Sequence, residues 1–314
     1  MINKIKVSDL LDHYFQSINS DPTYKSSTLE RYKYYKNLIN DFFKEYKDIE
    51  VEKFDKNYLI AYINFLSKKR NMNDLSILKS IVKFGALFKK AFEDSLIDNQ
   101  NYKSHFKSIY DTIKFQKESK RFALTSSEVE KLENFIPNNE DLIYIKDMFL
   151  FQIYTAIRLS DLNKVSQSNI DFDNNYLTFH QKKTNELVTI PLINKAIEII
   201  KKYPNNKFPK ISSSTYSLKI KTLCKDAGID DEIEIQRKSL NKIETKTYKK
   251  WELISSHFAR VTCIVEMARN GALAEEIITV TGLRDVNSLK PYMKIAKNIK
   301  LKRSRVALEK AFGG

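Results

Sequence analysis

The second half of the chain contains five side chains that together suit one reaction. Arg158, Lys183, His257, Arg260 and Tyr292 supply two guanidinium groups, an ammonium, an imidazole and a phenol. A guanidinium presents a planar fork of donors that fits phosphate oxygens, and tyrosine is a covalent nucleophile in some enzymes. The set therefore predicts a site that holds a phosphodiester, neutralises its charge and attacks it with a phenolic oxygen. No residue cluster predicts a metal site, and the sequence calls for no cofactor.

Arg158 comes directly after a strongly apolar segment, and Asp161 follows it by three residues. Burying a lone charge is expensive, so an arginine at the edge of a buried segment needs a partner. Two partners are open at this point: a structural ion pair with Asp161, or a bound phosphate.

His257 and Arg260 lie three residues apart, so they share one face of a helix. Ser255 and Ser256 supply a cap, which places His257 in the first turn, where the helix dipole favours an anion. By itself such a pair is a weak signal, and it gains meaning only from what precedes and follows it.

In their order and spacing these groups resemble the tyrosine recombinase (phage integrase) family, in its two-domain Xer or invertase-like form. The segment Thr155-x-x-Arg158-x-Ser160-Asp161-Leu162 is similar to the family's first arginine motif, with Ala156 where a glycine is common. Ser256-His257-x-x-Arg260 follows about a hundred residues later. Residues 277–282, followed ten residues later by Tyr292, resemble the segment that leads to the family's nucleophile.

The resemblance implies a role for each residue. Arg158, supported by Asp161, and Arg260 would contact the phosphate, and His257 would donate a hydrogen bond or carry the tyrosine's proton. Tyr292 would form a 3′-phosphotyrosyl link and release a 5′ hydroxyl. Because the ester conserves the bond energy, religation would need no ATP.

The family also carries a catalytic lysine in a β-hairpin, at a fixed distance before a Pro-Leu pair. Counting back from Pro191-Leu192 selects Lys183, with Lys182 as the fallback. Its implied role is that of a general acid that protonates the departing 5′ oxygen.

Leu283 is a departure from the family pattern. The residue after Gly282 is usually a His or Trp that donates to the scissile phosphate, and leucine has no donor. Loss of such a donor costs on the order of 10²–10³ in rate. Neighbouring Arg284 is a candidate substitute. We expect an active enzyme, with a catalytically impaired relative as the alternative.

Composition agrees with a polyanionic partner. The chain of 314 residues has a formal net charge of +15, distributed as +6 before and +9 after residue 120. This charge predicts a nucleic acid as the partner, although a lysine-rich solvated surface would give the same value, and the resemblance implies that the nucleic acid is double-stranded DNA. Cys224 and Cys263 predict free thiols in a reducing cytoplasm. No signal peptide and no uncharged stretch of 18 residues is present, so we expect no membrane partner.

Six glycines and six prolines in 314 residues favour a helical chain. We predict helices from about Ser26–Thr28, after Asn57, after Asn73-Asp74, from Leu124–Glu130, over 142–154, and from about 194, 214, 256, 273 and 299. Strands are expected at 176–180 and 187–191, and a second β-ribbon between 230 and 250. The predicted class is mainly α with a small antiparallel sheet.

The resemblance divides the chain into a helical core-binding (SAM-like) domain at 1–115, a linker at 116–121 and a catalytic domain at 122–314. Basic and polar side chains beside the apolar positions of the first domain are the candidate DNA contacts. They are Thr28, Arg31, Lys68, Lys69, Arg70, Lys79 and Lys83.

The predicted function is site-specific DNA recombination through a phosphotyrosyl intermediate and a Holliday junction. A non-catalytic DNA-binding or architectural relative and a topoisomerase-like enzyme are the rivals. In the family, a C-terminal tail such as residues 296–312 docks on a neighbouring protomer, which predicts a homo-tetramer on paired sites. Packing of that tail on its own domain is the alternative.

Overall fold

The structure is a computed structural model that describes residues 4–98, 100–115, 122–240, 242–293, 309 and 311–312. The described chain is mainly helical with small antiparallel sheets, which confirms the predicted class. It falls into two compact units, residues 1–119 with 235–246, and residues 120–234 with 247–314. The domain limits predicted from the sequence stay a prediction, and the predicted linker at 116–121 lies outside the described residues.

Unit 1 contains five α-helices in its described part, and a short π-helix, Phe65–Lys69, follows the third. The α-helices are α1 (Val7–Ser20), α2 (Ser26–Glu45), α3 (Lys56–Asn64), α4 (Asp74–Glu93) and α5 (Tyr102–Thr112). Their apolar faces meet in a core that includes Phe42, Phe65, Phe84 and Phe88, all essentially inaccessible to solvent. The periodicity read from the sequence predicted α2, α3 and α4, because each buries one apolar stripe, whereas α1 and α5 were not individually predicted.

Unit 2 begins with α6 (Ser126–Asn134), α7 (Glu140–Thr155) and α8 (Leu159–Leu162). It continues with β1 (Ile170–Asp171), β2 (Tyr176–His180), β3 (Leu187–Pro191), α9 (Asn194–Lys201) and α10 (Ser213–Asp226). Next comes the hairpin of β4 (Glu232–Ser239) and β5 (Lys242–Lys249), of which residues 235–246 belong to unit 1. It is followed by α11 (Lys250–Leu253), α12 (Ser256–Asn270), α13 (Ala274–Thr281) and α14 (Lys290–Met293).

Helix α7 is the centre of unit 2. Most of its side chains from Leu142 onward are buried, and it packs against α9, α10 and α12. Strands β1, β2 and β3 form one antiparallel sheet in that order, with Thr178 opposite Thr189, and α13 packs on β3. The site described below is assembled from the ends of these elements.

The strand pairs β2–β3 and β4–β5 were predicted correctly, whereas β1 was not predicted. Of the helices that were predicted, most begin within one residue of the expected position. The caps were less accurate. Ser26 is the first helical residue of α2 rather than its cap, and the capping position is Lys25, which makes no side-chain cap bond. Ser255 occupies the N-cap position of α12, as predicted, but its side chain makes no capping hydrogen bond. The helix expected near 299 lies outside the described residues.

Candidate active site

Arg158 is positioned by the end of α7 and the start of α8. Helix α7 ends at Thr155, and Ala156 adopts a left-handed conformation with φ of 54° and ψ of 13°. Arg158 is then extended and occupies the N-cap of α8, so the chain turns sharply out of the core at this residue. The position where the family has glycine is thus one that requires positive φ, and here alanine adopts it.

Arg158 and Asp161 do not form a close ion pair. Arg158 Nη1 and Asp161 Oδ2 are 3.8 Å apart, and neither atom has a hydrogen-bond partner within the described part of the chain. Asp161 is 1% exposed, and its other oxygen accepts a hydrogen bond from the Lys182 backbone N–H at 2.8 Å. Asp161 therefore ties α8 to the β2–β3 turn and leaves Arg158 with donor capacity for another acceptor.

Arg260, on α12, is held much more firmly. Its Nη1 donates to Ala156 O at 2.8 Å and its Nη2 donates to Thr281 O at 2.6 Å. Burial, followed by the nearby charge of Arg158, lowers the pKa of Arg260 to about 10. Because that pKa is well above neutral, the guanidinium stays charged, and two like charges face the same space.

An open pocket of about 400 Å³ lies between these groups. Arg158, His257 and Arg260 line it, together with Lys182, Ser160 and Ser256. The structure thus brings three of the five predicted catalytic side chains to one cavity. Lys183 lies in the same β2–β3 turn, but the turn lysine that lines the pocket is Lys182, the fallback of the sequence count.

Tyr292 reaches the site through His257. The tyrosine is 5% exposed, and its Oη lies 3.5 Å from His257 Nε2, with the two rings tilted and 6.4 Å apart. His257 is in the first turn of α12, as predicted. A separation of 3.5 Å is long for a hydrogen bond, yet catalytic contacts of unliganded enzymes are often long.

Leu283 has an apolar environment in the structure. Its partly buried side chain lies against the apolar cluster that contains Val261, Leu289 and Tyr292. The adjacent Arg284, which we considered as a substitute donor, is 70% exposed and faces Glu186, with Nε 3.9 Å from Oε1. Leu283 therefore has a packing role in this cluster, and its side chain has no hydrogen-bond donor to bring to the site.

The candidate DNA contacts of unit 1 fall into two groups. Three of them contact other side chains of the unit: Arg70 pairs with Asp41, Lys69 with Glu45, and Lys83 donates to Tyr32 Oη at 2.9 Å. Arg31, Lys68 and Lys79 are exposed, and Thr28 is partly buried. Their role in DNA binding stays a prediction.

Two further findings concern only the residues that the structure describes. None of their His, Cys, Asp and Glu side chains form a group of three or more that could hold a metal ion. None of their helices combines the length and apolarity needed to span a bilayer.

Comparison with known families gives a clear answer. A model described as the phage integrase family matches residues 123–298, and a model described as the phage integrase SAM-like domain matches residues 7–109. This chain belongs to the phage integrase family. It is a tyrosine recombinase by family, as the motifs predicted, and the two matched segments together span most of its length.

Solved structures of integrases share the fold. The Tn1549 transposon integrase, in complex with a circular intermediate DNA, is 15% identical and has a TM-score of 0.67, covering 90% of this chain and 94% of that one. A lambda integrase dimer bound to a COC′ core site is 16% identical with a TM-score of 0.68, covering 92% and 95%. A lambda integrase tetramer bound to a Holliday junction is 18% identical with a TM-score of 0.65, covering 90% and 76%. No curated protein matches the chain by sequence.

Proposed function

We propose that this phage integrase family member is a site-specific DNA recombinase that cleaves and rejoins DNA through a 3′-phosphotyrosyl intermediate. One observation carries the proposal. Two arginines and a histidine line a single pocket, and the hydroxyl of a tyrosine lies 3.5 Å from that histidine. This arrangement suits an in-line attack on a phosphodiester.

The two arginines hold the phosphate. Arg260 is oriented in advance by its bonds to two backbone carbonyls, and Arg158 has an Nη1 donor that no described residue uses. A scissile phosphate in the pocket accepts hydrogen bonds from both guanidinium groups. They neutralise its charge and stabilise the additional negative charge of the transition state, and because Arg260 is fixed beforehand this costs little reorganisation.

The chemical step exchanges one phosphate ester bond for another. Tyr292 Oη attacks phosphorus, and the phenol proton passes to His257 Nε2. The bond from phosphorus to O5′ breaks, and a lysine of the β2–β3 turn gives its proton to that oxygen. The resemblance assigns this last role to Lys183, whereas Lys182 lines the pocket. Religation is the reverse reaction, with a 5′ hydroxyl of the partner strand as the nucleophile.

Recombination also requires that two sites be exchanged. We propose that four copies assemble on paired DNA sites and pass through a Holliday junction. The lambda integrase with the same fold is a tetramer bound to such a junction, which supports this proposal. The tail of residues 296–314 that we expect to link protomers lies almost entirely outside the described residues.

A second candidate function rests on Leu283. If the usual donor at this position is indispensable, the chain is a catalytically impaired DNA-binding or architectural relative. The packing of Leu283 against the cluster of Tyr292 favours the active enzyme, because the substitution leaves the nucleophile's surroundings well packed. Loss of one transition-state donor lowers a rate by about 10²–10³ and does not remove the reaction.

The test uses nicked duplexes that carry DNA from beside the gene, on which a cleaved strand end diffuses away and traps the covalent intermediate. We expect wild-type protein to give SDS-resistant adducts and Tyr292→Phe to give none, because phenylalanine has no nucleophilic oxygen. Tyr176→Phe, an exposed tyrosine of the same unit, is the matched control and should react like wild type.

Three outcomes separate the candidates. Adducts that persist in Tyr292→Phe would assign the nucleophile elsewhere. Specific DNA binding without an adduct in wild type, together with adducts restored by Leu283→His, would establish the DNA-binding relative. Adducts without exchange between two sites would indicate a topoisomerase-like enzyme.

A further inference from the structure

We infer that Gln181 is a positioning residue for proton transfer, which holds the lysine-bearing β2–β3 turn against the segment that leads to the nucleophile. The inference rests on the proposed function and deepens it. It assigns a task to a buried glutamine that lies just before the two turn lysines.

All four polar groups of Gln181 have partners, and three of them close the turn. Its backbone N–H donates to Glu186 O at 2.9 Å, and its backbone carbonyl accepts from the Asn185 N–H at 2.8 Å. Its side-chain Oε1 accepts from Thr184 Oγ1 at 3.1 Å. These three hydrogen bonds of Gln181 therefore fix the conformation of residues 182–185, which include Lys182 and Lys183.

The fourth group connects the turn to the rest of the site. Gln181 Nε2 donates to Thr281 O at 3.2 Å, and the same carbonyl accepts from Arg260 Nη2 at 2.6 Å. One oxygen at the end of α13 thus joins the lysine turn to the helix of Arg260. The chain continues from Thr281 through Gly282 and Leu283 toward Tyr292.

Gly282 makes this contact possible. Its φ is +57°, and a Cβ built on it would lie 2.2 Å from Gln181 Nε2 and 2.6 Å from Val188 Cγ2. Any other residue would have to hold this positive φ and would displace the side chains of Gln181 and Val188. The end of α13 therefore approaches these two side chains closely because residue 282 is a glycine.

General acid catalysis explains why such a fit matters. Proton donation needs the donor within about 2.6–3.2 Å of the departing oxygen, and a lysine has a long, flexible stem. The turn is tied at two points, to Asp161 through the Lys182 N–H and to Thr281 through Gln181. Asp161 places the turn relative to Arg158, and Gln181 places it relative to Arg260. Removing the second tie leaves the phosphate contacts in place and displaces the proton donor.

The experiment compares two substrates on Gln181→Met, a change that keeps the length of the side chain and removes both of its hydrogen bonds. One nicked duplex has the natural phosphodiester, and the other has sulfur in place of the bridging 5′ oxygen. Sulfur leaves as a thiolate and needs no proton. We expect Gln181→Met to form adducts about 10²-fold more slowly than wild type on the natural duplex. On the sulfur duplex the difference should fall to about threefold or less.

Four further variants calibrate the result. Lys182→Ala and Lys183→Ala identify the proton donor, because only the variant that lacks it should be rescued by sulfur. Gln167→Ala, an exposed glutamine of the same unit, should behave like wild type on both duplexes. Thr184→Val removes one of the two side-chain bonds from a partly exposed position. It should show the same rescue with a smaller defect, and it carries the test if Gln181→Met does not fold.

The inference is overturned if Gln181→Met is as fast as wild type on the natural duplex, or equally slow on both duplexes. The second result would mean that Gln181 acts through Arg260 or through folding. A wild-type protein that forms no adduct on either duplex would instead refute the proposed function itself.

Discussion

Two pairs of unit 2, Lys250 with Glu128 and Arg158 with Asp161, each place a base beside a nearly inaccessible acid, and they differ in how close the charges come. Lys250 Nζ donates to Glu128 Oε2 at 2.5 Å, and both side chains are 6% exposed. Arg158 Nη1 remains 3.8 Å from Asp161 Oδ2, and Arg158 is 26% exposed. The first pair is a buried salt bridge that joins the start of α6 to the start of α11. In the second pair, Arg158 lies beside Asp161, whose other oxygen accepts a hydrogen bond from the Lys182 backbone N–H.

The difference in distance indicates different roles for Lys250 and Arg158. Once two charges have left water, close contact and hydrogen bonds are what compensate for their lost hydration, and Lys250 has both. Arg158 keeps part of its hydration and one unused donor at the edge of a pocket. Of the two partners that the sequence left open for Arg158, this geometry favours the phosphate.

The largest expected effect comes from breaking the close pair. Lys250→Met leaves Glu128 buried without its cation, which we expect to lower the free energy of unfolding by about 3–5 kcal/mol. Urea denaturation followed by circular dichroism measures the loss. Lys164→Met, an exposed lysine of the same unit, is the control and should change stability by less than about 0.5 kcal/mol. A loss below about 1 kcal/mol for Lys250→Met would remove the contrast between the pairs.

Arg260→Met should have an intermediate effect on stability. The change leaves Ala156 O and Thr281 O without their guanidinium donors, and a buried acceptor without a partner costs about 1–3 kcal/mol. Covalent adducts with nicked DNA should also be lost, because one phosphate contact is removed. Urea denaturation and the adduct assay on the same preparations report the two effects separately. Normal adduct formation in this variant would show that Arg260 is purely structural.

Arg158→Met sharpens the comparison most, although its effect on stability should be the smallest. Because its closest acid is 3.8 Å away and already bonded to Lys182, we expect a change of less than about 1 kcal/mol. Adduct formation should still fall by about 10²–10³ or more. If Arg158→Met instead destabilises the protein as much as Lys250→Met, Arg158 and Asp161 are a structural pair.

The sequence predicted helices and strands best where residues close to one another in the chain determine them. Thr125 and Glu128 form a capping box at the start of α6, within the helix start predicted at Leu124–Glu130, and β2 and β3 pair over the predicted residues. Such features depend on neighbours within a few residues or on alternation along one strand. The cap predicted at Ser26–Thr28 was wrong because several adjacent hydroxyl residues offer equivalent caps, and spacing does not choose among them.

The candidate site shows the same division. Arg158, His257, Arg260 and Tyr292 were selected by motif order, and the structure places three of them on one pocket and the fourth against His257. Which turn lysine faces that pocket could not be read from the sequence. Whether Lys182 or Lys183 faces the pocket depends on two hydrogen bonds that hold the turn. Lys182 N–H bonds to Asp161, which is 21 residues away, and Gln181 bonds to Thr281, which is 100 residues away.

By itself, then, the sequence determined the family, the helical class and the hairpin that carries the lysines, and it selected the candidate basic groups and the candidate tyrosine. These follow from residue types and short spacings. The tertiary structure alone decided that Arg158 keeps an unused donor, that Arg260 is fixed by the carbonyls of Ala156 and Thr281, and that Gln181 joins the turn to α13. Hydrogen bonds between segments many residues apart depend on distances and directions, and only the packed chain defines them.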